Sequence, residues 1–141
     1  MKNANELHAA LSEFGGSEIC YHHTLNKSFN YTEGVRAFFQ HAGGGGAYWL
    51  GDILASEPAI QKAVVAEGFC VMVLTVIGSS AQLVIARDVA SGDTVFDEPV
   101  DVVFTRAISF TDCPEGVWKL FLTWTETEGG EVMMAMLPGE Y

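Results

Sequence analysis

The spacing of apolar residues changes once along this chain, and the change divides it. Up to Gly68 apolar positions recur at helical intervals; from Phe69 they run on or alternate. Leu7, Ala10, Leu11 and Phe14 predict a short amphipathic helix over 5–14, capped by Asn3 or Asn5 and ended by Gly15-Gly16. His8 falls off that stripe and is expected to be solvated. Residues 17–30 show no period and read as irregular or partly extended, with Asn26 and Asn30 in turns. Thr32 is placed to cap the next helix, and Glu33 in its first turn favours the positive end of the dipole. Val35, Phe38, Phe39 and Ala42 make its buried stripe, and the glycines at 43–46 stop it. Residues 47–55 resume as helix with Trp49, Leu50, Ile53 and Leu54 inward. Ser56 is expected to cap a further helix, with Pro58 in its first turn and Gly68 at its exit.

In the second half, 69–77 is apolar on both faces, as in a strand covered on both sides or central in its sheet. A turn at Gly78-Ser79-Ser80 leads to a strand over 81–88. A turn at Ser91-Gly92-Asp93 leads to strand at 94–96 and 100–110, interrupted near Pro99, which cannot donate to a ladder. After a break at 112–116, Trp118, Leu120, Leu122 and Trp124 alternate with Lys119, Thr123 and Thr125, Phe121 being an apolar exception. Glu128-Gly129-Gly130 closes a hairpin that returns over 132–137. The expected architecture is α+β in a single domain over 1–141: N-terminal helices (1–68) packed on a C-terminal antiparallel sheet (69–141), a meander of about five strands.

Composition narrows the function classes. Apolar residues at 49% of 141 positions suffice for a core. Eighteen acidic against seven basic residues give a net charge of -11. That balance opposes direct nucleic-acid binding, where Lys and Arg must replace counterions, and opposes anionic membrane surfaces. Three cysteines without a CxxC pair speak against a disulfide framework and for a reducing cytoplasm. The start of the chain lacks the apolar core of a signal peptide, and the longest apolar run is too short to span a bilayer as a helix.

Two motifs, Tyr31-Thr32-Glu33-Gly34-Val35 and Ala47-Tyr48-Trp49-Leu50-x-Asp52-Ile53-x-Ala55-Ser56, carry a resemblance. Tyr21-His22-His23, Phe110-Thr111-Asp112-Cys113-Pro114 and Leu137-Pro138-Gly139-Glu140-Tyr141 extend it over nearly the whole chain. Together they resemble a domain-of-unknown-function family of small proteins from bacteria, their plasmids and phages. The Ala-Tyr-Trp-Leu-x-Asp piece is the most specific, and the four-glycine link before it is longer than in that family. The resemblance implies a compact intracellular domain of mobile-element origin and brings no established activity with it.

Candidate chemistry gathers around one polar cluster: His23, Tyr31, Glu33, Tyr48 and Asp52. Tyr48 and Asp52, four residues apart, are neighbours on a helix face. A carboxylate beside a histidine can tune it for general acid–base work. The competing role is structural, Asp52 accepting hydrogen bonds from Tyr31, His23 or backbone N–H groups and fixing how the irregular segment packs. No catalytic residue is assigned. Glu18, Cys20, His22, His23 and His41 lack metal-ligand spacing, and adjacent histidines on an extended segment point apart, so no metal or cofactor is expected. The glycine run lacks the Lys-Ser/Thr of a phosphate loop. Cys113 has no cation in its sequence neighbourhood to activate it and reads as an inert thiol.

The leading expectation is a non-enzymatic accessory module that binds another protein through an acidic or sheet-edge surface. A second is a small enzyme or ligand-binding domain built on His23, Glu33, Tyr48 and Asp52. A third is an acidic nucleic-acid mimic that inhibits a DNA- or RNA-acting enzyme, which requires carboxylates at roughly phosphate spacing on one face.

Overall fold

The computed structural model describes residues 3–15, 20–43, 46–89, 99–127 and 130–140. Helix α1 is Ala4–Leu11, with the Asn3 side chain accepting from the Glu6 N–H at 2.8 Å. It stops one turn before Phe14, because the Ser12 N–H and hydroxyl close on the His8 and Ala9 carbonyls. Helix α2 is Glu33–His41, capped by the Thr32 hydroxyl, which accepts from the Val35 N–H at 3.3 Å. Helix α3 is Tyr48–Ser56 and α4 is Pro58–Glu67, which leaves through Gly68 at φ 74°. Ser56 does not cap α4. It ends α3 with its hydroxyl donating to the Asp52 carbonyl at 2.6 Å, and Glu57 takes the cap position without a side-chain bond.

The strands are β1 (Cys20–His22), β2 (Phe29–Thr32), β3 (Phe69–Ile77), β4 (Ser80–Val89), β5 (Pro99–Ile108), β6 (Gly116–Thr127) and β7 (Gly130–Met136). They form one sheet in the order β1-β2-β7-β6-β3-β4-β5. The fold is α+β, and two expectations are corrected. The sheet has seven strands, not about five, and it is mixed: β2 runs parallel to β7, Phe29 opposite Met133 and Tyr31 opposite Ala135. The two extra strands come from the segment expected to be irregular or partly extended, β2 running two residues past its end. At three and four residues they are too short to show a period. The turn at Ser91-Gly92-Asp93, the strand at 94–96, Glu18 and Glu128-Gly129 lie outside the described residues.

One face of the sheet carries the core. Cys70, Met72, Leu74 and Val76 of β3, Leu83 and Ile85 of β4, Trp118, Leu120 and Leu122 of β6, and Met133 and Ala135 of β7 cluster with Leu7, Phe38, Phe39, Leu50, Leu54, Ile60 and Val64 of the helices. Strand β3 is apolar on both faces because it is central, paired to β6 and β4. Val71, Val73, Phe121, Val132 and Met134 alternate with the core residues and stand on the opposite face, outside that cluster. There the Phe69 and Phe121 rings meet edge to face at 5.0 Å. His8 is not simply solvated: its ring stacks on Trp118 at 4.1 Å, pinning α1 to β6.

A short 3-10 turn, Pro138–Glu140, brings the C-terminal segment onto α2. Glu140 Oε1 accepts from the Thr32 hydroxyl at 2.6 Å and the Leu137 N–H at 3.0 Å. Gly34 makes this approach possible, since a Cβ there would sit 2.5 Å from Glu140 Oε1 and 2.7 Å from Leu137 Cδ1. At the other end of α2, Gly43 (φ 123°) has no room for a Cβ against the Asp112 carboxylate. Gly34→Ala is therefore expected to lower stability by about 1–3 kcal/mol through overpacking. Helix propensity alone would raise it by about 1 kcal/mol. Urea unfolding midpoints decide the sign, and Glu140→Ala in the Gly34→Ala background should recover part of the loss.

Candidate functional site

The five expected cluster residues do not form one site. His23 and Asp52 meet, the imidazole Nε2 donating to Asp52 Oδ1 at 2.8 Å. His23 Nδ1 accepts from the Leu25 and Asn26 N–H groups at 3.2 and 3.1 Å, which places the ring proton on Nε2. Both ring nitrogens are therefore committed, and no lone pair is left to take a proton from a substrate. The pair joins the β1–β2 turn to α3, and the Asn26 amide extends the join by donating to the Ala55 carbonyl at 2.8 Å.

Tyr31 and Tyr48 belong to a second group, one that includes two residues outside the expected cluster, Tyr21 and Arg36. Arg36 Nη1 donates to the Tyr21 hydroxyl oxygen at 3.0 Å, and the guanidinium carbon lies 4.5 Å from the centre of the Tyr21 ring. Tyr21 and Tyr31 stack at 5.9 Å; Phe39 meets Tyr31 at 5.3 Å and Tyr48 at 5.7 Å, linking the rings. Tyr21 first, and Tyr48 less, by charge and hydrogen bonding, raise the Arg36 pKa, so the guanidinium stays charged. Burial raises the Tyr31 phenol, with Tyr48 adding to the rise and Arg36 opposing it. Glu33 lies in the first turn of α2 and makes no ion pair with Arg36 among the described residues. The pairing of Arg36 with Tyr21 joins positions 15 apart, so no local spacing announces it.

No three His, Cys, Asp or Glu side chains gather as a metal site among the described residues. A cavity of about 690 Å³ lies between α1, the start of β6 and the C-terminal turn, lined by Leu11, Phe14, Phe38, Trp118 and Leu137 among others. None of the five cluster residues lines it. Cys113 is buried, its thiol donating to the Ala42 carbonyl at 3.2 Å. No described helix is long and apolar enough to cross a membrane.

Two measurements check this wiring. Replacing His23 by Phe orphans two backbone N–H groups as well as Asp52, and should cost about 1–3 kcal/mol. Asp52→Asn loosens only a bond made by a carboxylate that is itself 71% exposed, and should cost about 1 kcal/mol or less. Equal losses in urea unfolding would contradict the bracket assigned to Nδ1. For the thiols, burial raises Cys70 and Cys113 above the ordinary 9.0. A disulfide reagent should thus titrate the exposed Cys20 in the native protein and the other two only on unfolding. The folded chain then holds protons that the unfolded chain releases. The thiol contribution to stability is accordingly full below the ordinary value and is lost as pH rises through the folded values.

No curated protein and no solved structure matches this chain. Residues 5–141 match DUF6876, a family of unknown function, and the chain belongs to that family.

Proposed function

We propose that the chain is a non-enzymatic accessory module that binds another protein along the edge strand β5. One observation carries the reading: β5 runs for 10 residues and, among the described residues, is paired on one side only, with β4. An open edge offers outward N–H and C=O groups that an added strand can satisfy. Asp101 at φ 58° and the register shift opposite Ile85 and Ala86 interrupt its first half, whereas 104–108 keeps a regular register. The other edge, β1, is only three residues long. A net charge of -11 favours a basic segment as the added strand and disfavours a second copy. The wiring of His23 supports the non-enzymatic half of the proposal, because the ring braces a turn where a general base would need a free nitrogen. Free Cys20, Cys70 and Cys113 fit a reducing cytoplasm as the place of action.

The experiment is recovery of partners from the native host at low salt, on the wild type and on Thr105→Lys/Ala107→Lys. Both positions are exposed on the edge strand. Lysine blunts an edge and repels a basic strand. A protein held by the wild type should be released by salt and retained at least about tenfold less by the variant. No partner at low salt, or one held equally by the variant, overturns the proposal.

A further inference from the structure

Three of the four tyrosines, Tyr21, Tyr31 and Tyr48, belong to one chain of ring contacts through Phe39, and Tyr21 carries Arg36 at its hydroxyl and on its ring. Arg36, Arg87 and Arg106 are the arginines of the chain. Among the described residues Arg87 pairs with Glu67 and Arg106 with Glu57, whereas Arg36 pairs with no carboxylate. Its guanidinium instead donates to the Tyr21 phenol oxygen. A phenol that accepts through its oxygen still has its own O–H to give. None of the three hydroxyls donates to a protein acceptor among the described residues. Tyr48 is 44% exposed, and Tyr21, Tyr31 and Arg36 are half-buried, so none of the four is sealed in the core.

We propose that Tyr21, Tyr31, Tyr48 and Arg36 form a binding site for a phosphate-type oxyanion. The site offers hydroxyl groups and a fixed positive charge, and among the described residues no carboxylate pairs with that charge. Three phenol O–H groups and the remaining guanidinium N–H groups exceed the roughly four lone-pair sites of a carboxylate but suit the oxygens of a phosphate. Stacking on Tyr21 fixes the plane of the guanidinium in advance, so little freedom is lost when an anion arrives. The net charge of -11 does not forbid this, since charges beyond about 8 Å are largely screened at physiological ionic strength. The rigid Phe39 side chain, 1% exposed, holds the rings of Tyr31 and Tyr48 from behind. The site lies on β1, β2, α2 and α3, at the end of the sheet opposite β5, and stands or falls independently of partner binding there.

The test titrates inorganic phosphate into the whole chain at fixed pH and ionic strength, following tyrosine ring and arginine Nε–H resonances by NMR, with acetate as the parallel arm. Phosphate should give saturable shifts confined to these four residues, and acetate at least about tenfold weaker ones. Arg36→Gln should abolish saturation. Tyr48→Phe, which keeps the ring and removes only an exposed hydroxyl, should weaken binding about tenfold, as for a lost hydrogen bond to a charged group. Non-saturating shifts equal to those of chloride, acetate binding as tightly as phosphate, or unchanged binding in a folded Tyr48→Phe protein would each overturn the proposal.

Discussion

The parallel join of β2 to β7 is the constraint from which most of this architecture follows. It sets a strand from the first quarter of the chain beside one from the last, so the three helices and four strands described between them must be accommodated by one excursion. A parallel pair needs such a crossover; a tight hairpin cannot make one. The Glu140 carboxylate fastens the same junction a second time, taking hydrogen bonds from Thr32 and from the Leu137 backbone above the start of α2. A carboxylate there also meets the positive end of the α2 dipole. The cap of α2, the missing Cβ of Gly34 and the C-terminal turn thus act as one device.

With that junction closed, the short motifs along the chain explain one another. Tyr31-Thr32-Glu33-Gly34 meets Leu137-Pro138-Gly139-Glu140 through the Glu140 carboxylate. Thr111-Asp112-Cys113 meets the exit of α2, with Cys113 on the Ala42 carbonyl and Asp112 against Gly43. His23 meets Asp52. Each pair joins segments far apart in sequence, and each uses polar atoms where loops approach helix ends, the places where backbone groups lack partners of their own. The residues that look like chemistry in the sequence mostly perform this joining. What is left over is Arg36, which pairs with no carboxylate among the described residues, and the side of β5 away from β4, which pairs with no described strand, and functional interest moves there.

The sequence alone determined the long elements. Helices α2, α3 and α4 and strands β3, β4 and β6 were legible because each is long enough to repeat its apolar period, and because Thr32, Pro58 and Gly68 mark their ends. The α+β class followed from the change of period at Gly68. Tertiary structure decided what has no local period. Strands β1 and β2 exist because β7 offers an edge to pair with, not because four residues prefer to be extended. His8 lies off its helix stripe, yet finds Trp118 from β6. Of the five cluster residues close in the motifs, His23 and Asp52 form a brace, Tyr31 and Tyr48 fall in the group of Tyr21 and Arg36, and Glu33 is in neither, since the side of a helix a residue faces is readable and the element opposite it is not.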